Sequence, residues 1–235
     1  MGKGILYMIP TYLDEANDHS YIAPVVKEVI SHTSHYLVEN VRTARRYISS
    51  LKLGLDISTL QFEQLDKNVG SEQITQLCQP LKQGSDVGII SEAGLPGIAD
   101  PGMLAVRYAH RYGYRVVPLP GPSSIIQALI ASGFNGQAFA FHGYLPIDPK
   151  KRKDAIRNMH STLSKTGQTQ LFMETPYRND KLFADLIHTL PGNTMLAVAS
   201  GISGNQELIK TMTVGEWKQK VPQLHKIPTI FSIGA

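Results

Sequence analysis

Short apolar runs alternate with longer amphipathic stretches through the first half of the chain, and this alternation constrains the fold more than any other feature. The apolar runs predict strands at residues 4–9, 36–38, 60–62, 87–90 and 116–119. The amphipathic stretches predict helices at residues 21–31, 41–51, 72–81 and 103–111. Strands that alternate with helices in this way indicate a parallel sheet covered on both faces.

A proline-rich run interrupts the pattern at Pro118, Pro120, Gly121 and Pro122. Because proline has no amide proton and a fixed φ, neither a helix nor a central strand continues through this run. We therefore predict two domains, residues 1–119 and 120–235.

The second domain has a different order of elements. Helices are predicted at residues 123–131, 150–163 and 180–190, and strands at residues 138–142, 170–173, 195–199, 207–213 and 229–233. Because fewer helices separate the last strands, the second sheet is expected to be mixed. The predicted fold class is two α/β domains, the first with a mostly parallel sheet and the second with a mixed sheet.

Several function classes are excluded by what the sequence lacks. Cys78 is the only cysteine among 235 residues, which excludes a disulfide framework and a cysteine-based zinc site. No phosphate-binding loop, dinucleotide fingerprint or nucleophile elbow is present. No apolar run reaches the roughly 18 residues that a membrane span needs, and residues 1–10 do not read as a signal peptide. We expect a cytoplasmic protein with no membrane partner and no metal.

The charge is divided unevenly along the chain. Residues 1–119 carry a net charge of −1 and residues 120–235 a net charge of +5. Five basic side chains stand close together at Lys150, Lys151, Arg152, Lys153 and Arg157. They indicate either a polyanionic partner or a solvated helix face.

Glycine and proline concentrate between residues 84 and 146, which hold ten glycines and six prolines. Two segments stand out, residues 91–102 and residues 118–124, and each follows a predicted parallel strand. Open α/β sheets bind ligands at the carboxyl ends of their strands, so these loops predict a binding site. Two tight turns are the alternative interpretation.

At these residues the chain resembles the tetrapyrrole methylase superfamily of S-adenosylmethionine-dependent methyltransferases. Within it, the chain resembles the methyltransferase I family, which methylates ribose 2′-hydroxyls of small-subunit ribosomal RNA. The matching blocks are SEAGLPGIADPG at 91–102, PGPS at 120–123, FHGYLP at 141–146, ETPYR at 174–178 and ENVR at 39–42. The chain departs from the family in a first loop without glycine, residues 10–14, and in Glu92 and Asn40, where the family has aspartate.

The resemblance implies a fold, a cofactor and its binding residues. S-adenosylmethionine would lie in a cleft between the two domains. The first domain would contact it through Glu92, Ala93, Gly94 and Ile98, the domain junction through Ser123 and Ser124, and the second domain through Met173 and Ala197.

The resemblance also implies an acceptor and partners. The acceptor would be RNA in a ribosomal subunit, held by Lys150, Lys151, Arg152, Lys153 and Arg157, and the protein would form a homodimer. Glu39 with Arg42, and Glu174 with Arg178, are candidates for catalytic residues; the alternative is that each pair is an ion pair holding a strand end. A tetrapyrrole or other small acceptor, favoured by the last strand at 227–234, and a cofactor-binding member without turnover are the alternative functions.

Overall fold

The computed structural model describes residues 2–15, 20–65 and 69–235. The chain divides into two compact units, Met1–Ser123 and Ser124–Ala235. The predicted boundary, after residue 119, lies within the proline-rich run that comes just before this division.

The first unit contains a five-stranded sheet with the strand order β3-β2-β4-β1-β5. Each neighbouring pair is parallel, which confirms the predicted parallel sheet. Its strands are β1 (Ile5–Ile9), β2 (His35–Val38), β3 (Gln61–Gln64), β4 (Val87–Ile90) and β5 (Arg115–Pro118). Its helices are α1 (Pro24–His32), α2 (Val41–Ser50), α3 (Ser71–Leu77), α4 (Gln79–Lys82) and α5 (Met103–Tyr112).

Apolar side chains cover both faces of this sheet, as the buried strands require. Residues of β1 enter two different cores, Leu6 with α3 and α5 on one face and Ile9 with α1 and α2 on the other. In β4, Ile89 lies in the same core as Leu6, and Ile90 lies in the same core as Ile9. This arrangement leaves the carboxyl edge of the sheet to its connecting loops.

Two predicted helices of the first unit have different bounds in the structure. The helix predicted at 21–31 begins at Pro24, because proline suits the first turn of a helix and does not need an amide partner there. The helix predicted at 72–81 is divided into α3 and α4, because Pro80 has no amide proton for a continuous helix.

The second unit contains a five-stranded mixed sheet with the order β6-β7-β10-β8-β9. Only β6 and β7 run parallel among its pairs, so the predicted mixed sheet is confirmed. Its strands are β6 (Phe139–Tyr144), β7 (Thr169–Met173), β8 (Met195–Ser200), β9 (Leu208–Thr213) and β10 (Thr229–Gly234). Its helices are α6 (Ser124–Ser132), α7 (Pro149–Thr166), α8 (Asn179–Thr189) and α9 (Val214–Trp217).

The short helix α9 was not predicted from the sequence. A capping box begins it, in which Thr213 and Glu216 each accept a hydrogen bond from the other's backbone amide. The helix ends at Trp217, which is fully buried in the core of the second unit. The indole Nε1 of Trp217 donates to the carbonyl oxygen of Leu196 at 2.8 Å, and the ring of Phe183 meets it edge-on at 5.6 Å.

The helices in the described part of the chain include none that is both long and apolar enough to cross a membrane.

Candidate active site

The loops at the carboxyl edge of the first sheet are held together by backbone hydrogen bonds. The amide of Thr11, after β1, donates to the carbonyl of Gly94, after β4, at 2.9 Å. The amide of Leu119, after β5, donates to the carbonyl oxygen of Met8 at 3.0 Å. The amide of Glu39, after β2, donates to the carbonyl oxygen of Ile90 at 3.4 Å. The first bond joins two loops, and the other two tie the loops after β5 and β2 to the ends of β1 and β4. Four loops thus leave the same edge, where parallel sheets bind their ligands.

Two glycines allow these loops to approach closely. A Cβ at Gly121 would lie 2.2 Å from the Cβ of Pro10, so no side chain fits between the loops after β1 and β5. Gly94 has a φ of +70°, and a Cβ there would lie 3.2 Å from the carbonyl oxygen of Pro122. Sequence reasoning placed both glycine-rich segments at strand ends, and the structure brings them together.

A buried polar group marks this edge. The hydroxyl of Thr11 is buried and has no hydrogen-bond partner in the described part of the chain. Leaving such a hydroxyl unpaired costs about 1–3 kcal/mol, so a polar group from outside the chain is expected beside it. Sequence reasoning missed Thr11, because the first loop attracted attention only for its lack of glycine.

Tyrosines support the loop after β1. The hydroxyl of Tyr47, on α2, donates to the carbonyl oxygen of Pro10 at 2.8 Å, and the ring of Tyr12 packs edge-on against Tyr47 at 5.3 Å. Burial raises the pKa of both tyrosines above its ordinary value. Both phenols are therefore neutral near pH 7 and position the loop without adding charge.

The predicted cofactor residues of the first unit all lie at this edge. Glu92, Ala93 and Ile98 are exposed, whereas Gly94 and Ser123 are buried. The carboxylate of Glu92 accepts a hydrogen bond from the hydroxyl of Thr43 at 3.5 Å. The structure thus brings an acidic side chain, an exposed apolar side chain and backbone of the two loops to one edge of the sheet.

The loop after β4 also encloses a cavity of about 240 Å³ where it enters α5. Its lining residues are Leu65, Ala99, Asp100, Pro101, Gly102, Met103 and Leu104. Ala99 has a φ of +65°, a left-handed conformation that is uncommon for a residue with a side chain. Such local strain is often found in ligand-binding loops.

Glu39 and Arg42 stand at the end of β2 and the beginning of α2. Asn40 caps α2, and its Oδ1 accepts hydrogen bonds from the amides of Arg42 at 3.0 Å and Thr43 at 3.2 Å. The ion pairs found in the described residues do not include Arg42. An ion pair between Glu39 and Arg42 is therefore not observed among the described residues, and the catalytic role of the two stays a prediction.

Glu174 and Arg178, in the second unit, do form an ion pair. The Oε2 of Glu174 accepts from the Nη2 of Arg178 at 2.7 Å and from the amide of Thr175 at 2.6 Å. Glu174 is buried, and its Oε1, the Nε of Arg178 and the Oδ1 of Asn179 are all buried without a partner in the second unit, every residue of which is described. This cluster holds the end of β7 and retains capacity for further hydrogen bonds.

The remaining predicted cofactor residues lie in the second unit. Ser124 is the first residue of α6 and is half-buried. Met173 is the last residue of β7 and is half-buried, whereas Ala197 is buried in the middle of β8. Their part in cofactor binding stays a prediction.

The predicted substrate-binding residues lie on α7, and one of them has a different role. Arg152 is buried; its Nε donates to Asp185 at 2.7 Å and its Nη1 to the carbonyl of Ile147 at 2.8 Å. Because these contacts engage its guanidinium, Arg152 joins α7 to α8, which corrects the prediction that it binds substrate.

The other basic residues of α7 are closer to solvent. Lys150 and Lys151 are exposed, and Lys153 is half-buried. Arg157 pairs with Asp154 at 2.9 Å on the surface. The part of these four side chains in substrate binding stays a prediction.

Comparison with known proteins decides the family. The sequence profile described as Tetrapyrrole (Corrin/Porphyrin) Methylases matches residues 23–218, most of the chain. The chain belongs to the tetrapyrrole methylase family. It is therefore an S-adenosylmethionine-dependent methyltransferase, as the resemblance predicted.

Two relatives of this tetrapyrrole methylase are named ribosomal RNA small subunit methyltransferase I. The protein from Vibrio cholerae is 32% identical over 215 residues, which cover 92% of this chain and 70% of the relative. The protein from Haemophilus influenzae is 31% identical over 226 residues, which cover 95% of this chain and 76% of the relative.

Two solved structures of methyltransferases share the fold. The methyltransferase CobJ superimposes with a TM-score of 0.65 at 13% identity. The match covers all of this chain and 94% of the CobJ chain. Uroporphyrin-III-C-methyltransferase from Thermus thermophilus superimposes with a TM-score of 0.59 at 16% identity and covers 99% of this chain and 94% of its own. The predicted fold of two α/β units is confirmed.

The residues at the carboxyl edge of the first unit fit an S-adenosylmethionine molecule. The unpaired hydroxyl of Thr11 can bond a polar group of the cofactor, and the exposed carboxylate of Glu92 can accept from hydroxyl or ammonium groups. Exposed Ile98 offers apolar surface for an adenine ring. The donor and acceptor types present thus suit the cofactor that the family uses.

Proposed function

We propose that this methyltransferase acts on RNA and adds a methyl group to the 2′-hydroxyl of a ribose in the small ribosomal subunit. The observation that carries the proposal is the name shared by relatives that match nearly the whole chain. The exposed lysines at the start of α7 support it, because RNA-binding proteins neutralise phosphates with such side chains. A cytoplasmic location and a homodimer are part of the same proposal.

The chemistry asks little of the protein beyond positioning. S-adenosylmethionine, when bound, supplies an activated methyl carbon. The chain has to hold the ribose oxygen in line with the carbon–sulfur bond and exclude water. We propose that Glu92, Ala93, Gly94, Ile98 and Ser123 hold the cofactor in the first unit, and Ser124, Met173 and Ala197 in the second.

The ribose hydroxyl must lose a proton as its oxygen forms the new bond. Carboxylates are suitable bases for this step. We propose Glu39 and Glu174 as the candidates. Glu174 keeps one oxygen without a partner in the second unit, although its other oxygen is held by Arg178.

Transfer of a labelled methyl group tests the proposed acceptor. Small subunits from a strain that lacks the protein should accept label, and subunits from the parent strain should not, because their site is already methylated. A 2′-O-methyl group makes the neighbouring phosphodiester resistant to alkali, so the labelled nucleotide should survive alkaline hydrolysis as a dinucleotide. Label in a tetrapyrrole but not in ribosomal subunits would favour the alternative that the last strand, residues 227–234, suggested.

Charge reversal on α7 tests the RNA-binding surface. The double substitution Lys150→Glu and Lys151→Glu should weaken subunit binding and reduce the slope of log affinity against log salt, by about 0.7–0.9 for each phosphate that the protein no longer neutralises. The control reverses two exposed lysines of the first unit, Lys52→Glu and Lys82→Glu, and should keep the slope of the wild-type protein. An equal slope in both variants would contradict the assignment of this surface.

A further inference from the structure

A second cavity lies in the second unit, and none of the predicted cofactor residues lines it. Its volume is about 510 Å³, within the range of small-ligand sites, about 300–1,000 Å³. It lies beside α8 and the segment that joins α9 to β10. We name it the Asp180 pocket, and its lining residues are Asp180, Phe183, Gln206, Val221, Pro222, Gln223, His225 and Ile227.

The segment that forms one wall of the Asp180 pocket is fastened to the beginning of α8. The amide of Leu224 donates to the Oδ1 of Asp180 at 3.1 Å. The Nδ2 of Asn179 donates to the carbonyl of Ile227 at 2.7 Å, and the amide of Lys226 donates to the carbonyl of Pro176 at 3.0 Å. These bonds hold Lys226 at a φ of +64°. These hydrogen bonds fix the segment on both sides of the lining residue His225.

An exposed aromatic side chain outside the lining contacts one of the lining residues, His225. Tyr177 is 71% exposed, and its ring meets the imidazole of His225 edge-on at 6.1 Å. The Nζ of Lys226 lies 6.0 Å from the centre of the Tyr177 ring. A largely exposed aromatic ring with a lysine ammonium over one face offers the rest of the ring to a stacked base and the ammonium to its phosphate.

The lining of the pocket also offers groups that recognise base edges. Gln206 and Gln223 are exposed, and each amide can donate and accept hydrogen bonds. Asp180 is a lining residue, and its carboxylate can accept from an exocyclic amine. Its Oδ2 lies 3.9 Å from the Nδ1 of His225. Phe183 and Val221 add apolar wall. The negative charge of the Asp180 carboxylate disfavours a phosphate inside the pocket. A phosphate can instead lie outside the lining, next to Lys226.

We propose that the Asp180 pocket binds one unpaired nucleobase of the acceptor RNA, with Tyr177 as its stacking surface. This inference rests on the proposed RNA acceptor and adds to it a site that positions the substrate. The base stacks on Tyr177, and its edge forms hydrogen bonds with Gln206 and Gln223. Lys226 faces its phosphate.

Binding of single nucleotides to the full chain tests the pocket without methyl transfer. The probes are the four nucleoside 5′-monophosphates, with ribose 5-phosphate as the probe that lacks a base, followed by saturation-transfer nuclear magnetic resonance. At least one nucleotide should give a saturation-transfer signal at a concentration at which ribose 5-phosphate gives none. Tyr177→Ala should abolish the signal of that nucleotide. Binding should persist in saturating S-adenosylhomocysteine. Absence of base-dependent binding, or displacement by S-adenosylhomocysteine, would overturn the inference.

Methyl transfer to small subunits provides the second test. Tyr177→Ala should raise the KM for subunits about 5- to 150-fold, the range that loss of one stacked base gives, and leave the KM for S-adenosylmethionine unchanged. Tyr177→Phe keeps the aromatic face and should stay within about twofold of wild type. The control Tyr112→Ala removes an exposed tyrosine of the first unit and should change neither value. An unchanged KM for subunits in Tyr177→Ala would overturn the inference while the proposed function stands.

The two proposals fail separately. A wild-type protein that methylates a tetrapyrrole and no ribosomal subunit would contradict the proposed function. The nucleotide-binding assay then decides the pocket alone, since it depends on neither acceptor nor turnover.

Discussion

Single residues determine how closely the loops of the carboxyl edge approach. Gly121 faces Pro10 with no room for a side chain, so the loop after β5 can rest on the loop after β1. The hydroxyl of Tyr47 fixes the carbonyl of the same proline. The geometry of the predicted cofactor site thus depends on residues that need not touch the cofactor.

Gly121→Ala should destabilise the protein and weaken cofactor binding together. Its new Cβ would meet Pro10 at 2.2 Å, and separating the two loops should cost about 1–3 kcal/mol, as overpacking does. Urea denaturation and calorimetric titration with S-adenosylmethionine measure the two effects. The control Gly136→Ala adds a Cβ that meets nothing within 4 Å and should leave both values near those of wild type.

Burial of Cys78 makes stability depend on pH in the alkaline range. Burial, with a smaller contribution from Glu63, raises the pKa of its thiol from 9.0 to about 12. Because the pKa of the thiol is higher in the folded protein, the thiol ionises more readily in the unfolded chain. The free energy of unfolding is therefore at its full value below about pH 9 and falls as the pH rises from about 9 to about 12.

Two measurements check this prediction. The midpoint of urea denaturation should fall as the pH rises above about 9, and Cys78→Ala should show a smaller fall over the same range. A thiol reagent at mildly alkaline pH should react with the unfolded chain far faster than with the folded one. Rapid reaction of the folded protein would contradict the buried thiol.

Helix α7 has two different faces. One face places Arg152 against Asp185 of α8, and the other presents lysines to solvent. The sequence shows a run of basic residues there, whose charge does not separate the buried arginine from the exposed lysines. Helical spacing does, because Arg152 lies on the same face as the buried Ile156, Met159 and Leu163. The partner of Arg152 lies 33 residues further along the chain. Such a long-range contact cannot be predicted from the local pattern.

Arg152→Ala should destabilise the second unit by about 3 kcal/mol, because it leaves the mostly buried carboxylate of Asp185 without its partner. The matched control on the same helix is Arg157→Ala, which breaks the surface pair with Asp154 and should cost less than about 1 kcal/mol. Chemical denaturation followed by circular dichroism measures both. Equal effects would show that burial does not distinguish the two arginines.

Other elements show what local sequence can predict. The four-residue run of β4, with its β-branched side chains, has the predicted bounds, since it is fully buried and needs no distant information. The division between α3 and α4 depends on one proline, and α9 on a capping box only four residues long. For the site, the loops at strand ends were predictable, whereas the unpaired Thr11 hydroxyl and the Asp180 pocket depend on contacts between distant segments.

The whole molecule combines a nearly neutral half with a basic one. Residues 120–235 carry the entire excess of positive charge, at +5, and the exposed lysines of α7 belong to this half. Predicted cofactor residues lie in both units, so cofactor binding should stabilise the protein as a whole. Anything that binds the folded state alone shifts the folding equilibrium by mass action.

S-adenosylhomocysteine should raise the thermal midpoint of the full chain. At a concentration about one hundred times its Kd, the free energy of unfolding should rise by about 2.7 kcal/mol. Thermal denaturation followed by circular dichroism measures the shift, with adenosine at the same concentration as the control. A midpoint that stays unchanged would contradict binding of S-adenosylhomocysteine by the folded chain.

The buried tryptophan gives the chain an optical label that needs no engineering. Trp217 is the only tryptophan in the sequence, and it lies wholly within the core of the second unit. Light at the long-wavelength edge of protein absorption excites tryptophan alone, so its fluorescence reports the unfolding of the second unit, whereas circular dichroism reports both. Since Phe183 touches both the indole and the Asp180 pocket, the emission of this single residue should also respond when the pocket is filled.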